Sequence, residues 1–179
     1  MRNIILSIFL LVSLCTSSID AVKIKTDEMD EFSGQRRIAT NWESFKGGAV
    51  HMRLRHVDNV LMLDFKLLPA KVVVGIENPM MFKDANTGLI NKLYPQKVTA
   101  SEIGGGAIGL AGSQAMGIFV SYDCTPEWFE QNKASLIRMY STDEYTDIKL
   151  NDDEANKLSD MFKLIKSTLA SPCKGKSEH

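Results

Sequence analysis

Ala49-Val-His-Met-Arg-Leu-Arg-His-Val-Asp-Asn-Val-Leu-Met-Leu-Asp-Phe-Lys-Leu-Leu68 is the stretch on which the fold turns. Two alternating runs, 49–55 and 60–68, flank Val57-Asp58-Asn59, a short connection with turn residues at its centre. Apolar and polar side chains alternating at period two, broken by such a turn, predict a β-hairpin. In the second run Leu61, Leu63, Phe65 and Leu67 line one face, while Met62, Asp64 and Lys66 line the other. That pattern belongs to a half-buried antiparallel strand.

Upstream of the hairpin, Ser33-Gly34 opens another period-two run. Arg36, Ile38, Thr40 and Trp42 share one face of it; Arg37, Ala39, Asn41 and Glu43 share the other. Residues 22–32 are polar and acidic towards their end and predict a flexible N-terminal arm. Downstream, Pro69 ends the second strand, and residues 71–77 and 80–82 predict further strands on either side of Asn78-Pro79. Residues 96–103 and 117–122 also alternate, whereas 89–93 is too short to assign. Helices come late in the chain. Thr125-Pro126-Glu127 starts a short helix near 126–133, and 136–141 with 145–150 forms a second hairpin around Thr142-Asp143-Glu144. Asn151 and Glu154 then have capping-box spacing. The helix they open places Ala155, Leu158, Met161, Phe162, Ile165 and Leu169 on one stripe before Pro172 stops it. Strands first and helices last predict an α+β fold: an antiparallel sheet of seven or eight strands, rich in hairpins, packed against the C-terminal amphipathic helix. The single domain spans 33–171 and leaves a polar tail at 172–179.

Residues 1–21 have the layout of a secretory signal peptide: Arg2, an apolar run at 4–14, then small residues up to Ala21. The run is too short for a comfortable transmembrane helix, which needs about 20 residues. Cleavage near Ala21 would make the protein secreted, periplasmic or displayed at the cell surface. Cys15 closes Val12-Ser13-Leu14-Cys15, a candidate lipidation box in which Leu14 fits poorly; the alternative is a thiol filling the apolar run. Removing residues 1–21 from 179 leaves 158, with 20 Lys and Arg against 21 Asp and Glu. That balance gives no electrostatic footprint for nucleic acid. The two remaining cysteines, Cys124 and Cys173, form an even pair in an exported chain, hence a candidate disulfide. Closing about fifty residues would stabilise by about 4 kcal/mol. The competing reading is two free thiols.

Six of the twelve glycines fall between Gly104 and Gly117 in an uncharged stretch, 103–122. Gly104, Gly106 and Gly109 match the dinucleotide-binding spacing, yet only seven residues separate Gly109 from Gly117, where strand pattern resumes. No crossover helix fits there, so no nucleotide cofactor is expected. A membrane-contacting segment and a close-packed bend remain as readings, the bend needing less.

For binding, His51, Arg53 and Arg55 share a strand face, and Arg36 of the neighbouring strand is a candidate fourth member. Such a patch suits an anionic glycan or a carboxylate, unless acids such as Glu43 or Asp64 merely balance it. His51 and His56 are five apart and point to opposite faces, so they do not form a metal pair. No G-x-S-x-G and no positioned Cys–His pair is present. The sequence therefore predicts an exported, non-catalytic binding or structural protein of the bacterial envelope or extracellular space. Its partner would be an envelope protein or an anionic glycan, with no catalytic, metal or cofactor residues. The alternatives are a small secreted hydrolase whose site carries no motif, and a protein contacting membrane through 103–122 or through a lipid on Cys15.

Overall fold

The computed structural model describes residues 21–103 and 115–173. The signal-peptide and lipidation readings at residues 1–20, the glycine run 104–112 and the end of the tail, 174–179, lie outside the described residues. The first strands are β1 (Ile24–Met29), β2 (Arg36–Thr40), β3 (Glu43–Phe45), β4 (Val50–Val57) and β5 (Val60–Leu67). After Pro69 come β6 (Val73–Val74), β7 (Met80–Asp84), β8 (Ile90–Leu93), β9 (Thr99–Ala100), β10 (Glu102–Ile103) and β11 (Met116–Asp123). Helix α1 (Glu127–Gln131), strands β12 (Ala134–Tyr140) and β13 (Tyr145–Lys149), and helix α2 (Asp152–Ala170) follow.

Strands β4 and β5 form the predicted hairpin. Asp58 and Asn59 take φ values of 54° and 61°, which a two-residue turn matching the strand twist requires and which Asp and Asn tolerate better than most residues. The turn fixes the register, pairing Val57 with Val60, Arg55 with Met62, Arg53 with Asp64 and His51 with Lys66. This hairpin sits inside a seven-stranded antiparallel sheet ordered β1-β2-β4-β5-β11-β10, with β3 paired to β4. A second sheet runs β13-β12-β7-β8, and β6 pairs with β9 alone. The architecture is α+β, with antiparallel sheets and a C-terminal helix.

Helix α2 covers the inner faces. Its buried residues Ala155, Leu158, Met161, Phe162 and Ile165 are the predicted stripe, with Leu169 packed at its edge. They meet Ile38, Met52 and Leu54 of the large sheet in one core with Phe82 and Ile137 of the small one. Phe162 stacks on Phe129 of α1 with ring centroids 3.9 Å apart and planes 1° from parallel, and Phe82 meets Phe129 edge-on at 4.9 Å. The capping box forms as read: Glu154 N donates to Asn151 Oδ1 (2.8 Å) and Asn151 N to Glu154 Oε2 (3.0 Å). The second Glu154 oxygen accepts from Lys46 N (2.6 Å), tying the helix start to the tight turn before β4.

Several readings change. The stretch 22–32 is not a loose arm, since β1 pairs with β2 along its length. Its acids find bases that the one-dimensional pattern leaves unpaired: Asp27 meets Arg36 and Asp30 meets Arg37, each at 2.7 Å. The strand read at 96–103 is two short strands with different partners, β9 on β6 and β10 on β11. Ser101 divides them, because its hydroxyl binds both the N–H and the C=O of Val72. Cys124 and Cys173 are not bridged. Cys124 is buried with its thiol towards the carbonyl of Leu61 (3.6 Å), while Cys173 follows α2 and points at Asp27 Oδ1 (3.8 Å). Burial, and then the charges of Asp123 and Asp64, push the Cys124 thiol pKa up, so it stays protonated. Around the glycine run the flanks pair antiparallel, Glu102 with Gly117 and Ile103 with Met116. That is hairpin topology rather than the parallel crossover of a dinucleotide-binding unit.

Candidate functional site

The outer face of the large sheet carries the residues that the register brings together. Arg53 and Arg55 both converge on Asp64 of β5, whose side chain is fully buried. Arg53 Nε donates to Asp64 Oδ2 at 2.8 Å; Arg55 donates from Nε at 3.0 Å and from Nη2 to Oδ1 at 3.1 Å. Ser121 of β11, opposite Asp64 across the strand pair, donates its hydroxyl to Oδ1 at 2.7 Å. Burial alone would raise the Asp64 pKa, but hydrogen bonds from Arg55, Ser121 and Arg53 outweigh it and hold the carboxyl below its ordinary range. The acid is ionised at neutral pH and fixes two guanidinium planes.

Aromatic rings complete this surface. Trp42 has the Arg53 guanidinium and the Lys66 ammonium each 4.6 Å from its ring centroid, and Phe119 meets it edge-on at 6.0 Å. Cation–π contact of this kind holds flexible basic side chains over a flat ring. Burial first, and then the charge of Arg53, lowers the Lys66 pKa. His51, beside Lys66 in the ladder, has its pKa lowered chiefly by burial, so it is neutral at pH 7 and adds no charge. Arg53, Arg55 and Lys66 against Asp64 leave this part of the face with a net charge of +2.

Segment 96–102 closes one side. Gln96 N donates to Ser121 O (3.0 Å), and its amide donates to Asp123 Oδ1 (2.7 Å). Beside this segment lies an open cleft of about 530 Å³ whose walls include Arg55, Phe119, Ser121 and Glu102 from the sheet and Lys97 and Thr99 from the segment before β10. Lys97 and Glu102 cancel in charge, so Arg55 sets the sign. Arg53 and Arg55 spend their Nε atoms on Asp64 and are 24% and 30% exposed, which leaves guanidinium edges open to a ligand.

Of the four residues of the sequence-predicted patch, three lie together and one does not. Arg36 is on the opposite, helix-covered face. Its neighbours in alternation, Ile38 and Thr40, are buried in the core, and its guanidinium binds Asp27 and the carbonyl of Ser171. Of the two acids proposed to balance the patch, Asp64 does so. Glu43 lies on the inner face, opposite Met52 and 3.8 Å from Lys157 of α2. His51 and His56 do fall on opposite faces, since His56 pairs with Ile38. Among the described residues no group of three His, Cys, Asp or Glu is placed to hold a metal ion.

Sequence reasoning missed Trp42, Lys66, Phe119 and Ser121 as site residues. Lys66 was within reach: a two-residue turn at Asp58-Asn59 puts it opposite His51 by counting. Trp42 was not. Alternation assigns it to the face of Ile38, but the ladder breaks after Thr40, whose hydroxyl accepts from Leu54 N (3.0 Å) in place of a main-chain carbonyl. The chain then turns and Trp42 contacts the outer face. Comparison of the chain with known protein families, with curated proteins and with solved structures finds no match.

Proposed function

We propose that the chain is an exported binding protein whose outer-face cleft takes an acidic saccharide. The observation that carries this reading is Arg55 in the cleft wall beside Phe119, its guanidinium held by the buried carboxylate that also holds Arg53. Arg presents planar donors that match a carboxylate, and Phe119 in the cleft wall offers a ring suited to the apolar side of a sugar, with Trp42 packed edge-on behind it. Preorganisation matters because a side chain already ordered by Asp64 loses less freedom on binding. The export half of the proposal rests on the arrangement of Arg2, the apolar run 4–14 and the small residues ending at Ala21. A hydrolase at the same cleft would need an acid free to exchange protons. Asp64 is committed to two arginines, which leaves Glu102 as the one carboxylate among the lining residues for proton transfer, without the second acid that a glycoside hydrolase pairs with it.

Trp42 and Trp128 are the two tryptophans of the chain, which makes intrinsic fluorescence a direct reporter. Titration with polygalacturonate should change the Trp42 signal and a neutral glucan should not. The Arg55→Ala variant should weaken the acidic ligand by roughly tenfold or more, the usual consequence of losing a charged hydrogen bond. Equal response to both polymers, or none to either, would overturn the proposal.

A further inference from the structure

The outer face of the four-stranded sheet is built differently. Its register stacks two rows across the strands: Asp147, Arg138, Met81 and Lys92 in one, and Lys149, Leu136, Lys83 and Ile90 in the other. Met81, Leu136 and Ile90 set apolar side chains among the charges of these rows, and Leu89 and Ile90 at the β7–β8 turn are 58% and 55% exposed. Arg138 and Lys83 alternate with Leu136 and Met81 on the two central strands and Lys92 and Lys149 lie on the edge strands, against one acid, Asp147, leaving +3 on the two rows. Arg138 pairs with Asp147 at 2.6 Å and lies 3.9 Å over the ring of Tyr145, itself half exposed.

We propose that this face docks the protein onto an anionic lipid surface. A second copy would set two faces of the same net charge against each other, which disfavours self-association. The depression between Met81, Ile90 and Leu136 is only about 210 Å³, below the size of an ordinary ligand pocket. A lipid interface fits both features. Leu89 and Ile90 enter the boundary between headgroups and acyl chains, and the lysines extend their ammoniums to anionic headgroups. Tyr145 belongs at such a boundary because its ring is apolar and its hydroxyl is not. The face lies on a different sheet from the cleft, so this reading stands independently of the saccharide proposal.

The test uses the chain from Val22, which carries every described element, so that the apolar run at 4–14 cannot itself hold the protein on lipid. It is floated with vesicles of phosphatidylcholine alone and with an equal mixture of phosphatidylcholine and phosphatidylglycerol. Binding should occur on the mixture, be weak on phosphatidylcholine, and fall at high salt. Two variants, Lys83→Glu with Lys149→Glu and Ile90→Asp alone, should each lower binding by about tenfold or more. Both should keep the wild-type circular dichroism and the Trp42 response to polygalacturonate, because none of these side chains lines the cleft. No flotation, equal flotation on both lipids, or unchanged binding in the charge-reversed variant would each overturn the proposal. So would soluble polyglutamate displacing the protein completely, which would assign the face to acidic polymers.

Discussion

Replacing Asp64 with Asn removes one negative charge from the point where two positive charges meet. Four hydrogen bonds converge on its carboxylate, three from Arg53 and Arg55 and one from Ser121. Breaking a buried ion pair by deleting one partner costs about 3–5 kcal/mol, because the other charge is left without compensation. The low end applies here, since water reaches both arginines at 24% and 30% exposure. A loss of about 3 kcal/mol in a chain of this length lowers the melting temperature by about 6–12 °C. The pH dependence has a definite sign. The Asp64 pKa is lowered in the folded protein, so its contribution is fully present above the unfolded value of about 3.9 and is lost as pH falls through the folded value. Urea midpoints of wild type and Asp64→Asn should therefore differ most at neutral pH and converge in acid. Removing all three charges, with Arg53→Met and Arg55→Met accompanying Asp64→Leu, should recover much of the stability while abolishing acidic-ligand binding. If Asp64→Asn matches wild type at pH 7, or the gap persists unchanged in acid, Asp64 does not order the two arginines.

Three further outcomes follow from the same structure. In the chain from Val22, a thiol reagent should modify Cys173 in the folded state and Cys124 only after unfolding, and dithiothreitol should leave the melting temperature unchanged. Phe162→Ala removes the ring stacked on Phe129 in the fully buried core, and should cost about 3–5 kcal/mol by urea denaturation. Asn151→Ala deletes the α2 cap and should cost about 1 kcal/mol in the same assay, with circular dichroism showing the helix retained.

What the sequence made legible is what short-range periodicity controls. The β4–β5 hairpin was readable because Asp58 and Asn59 sit between two alternating runs, and α2 because its cap and its stripe agree. The failures share a different cause. Acidic residues such as Asp27 look solvated until a partner strand supplies Arg36, and pairing between separate strands leaves no local trace. Cys124 and Cys173 satisfied compartment and count, but neither says whether two sulfurs meet. Trp42 was misassigned because period-two counting assumes an unbroken ladder, and Thr40 replaces one backbone partner with its own hydroxyl.

The candidate site shows how these two kinds of information combine. Once the turn fixes the hairpin register, Arg53 must face Asp64, Arg55 must face Met62 and His51 must face Lys66. The charged cluster is thus a consequence of the most readable element in the chain. Its aromatic neighbours are not, because Trp42 comes from a strand break and Phe119 from β11, which follows the glycine stretch. A cluster made by the hairpin alone would be an ordinary internal ion pair. Trp42 and Phe119, brought in from outside that hairpin, add a ring against Arg53 and an aromatic wall to the cleft beside Arg55. That addition is what the proposed binding of an acidic saccharide depends on.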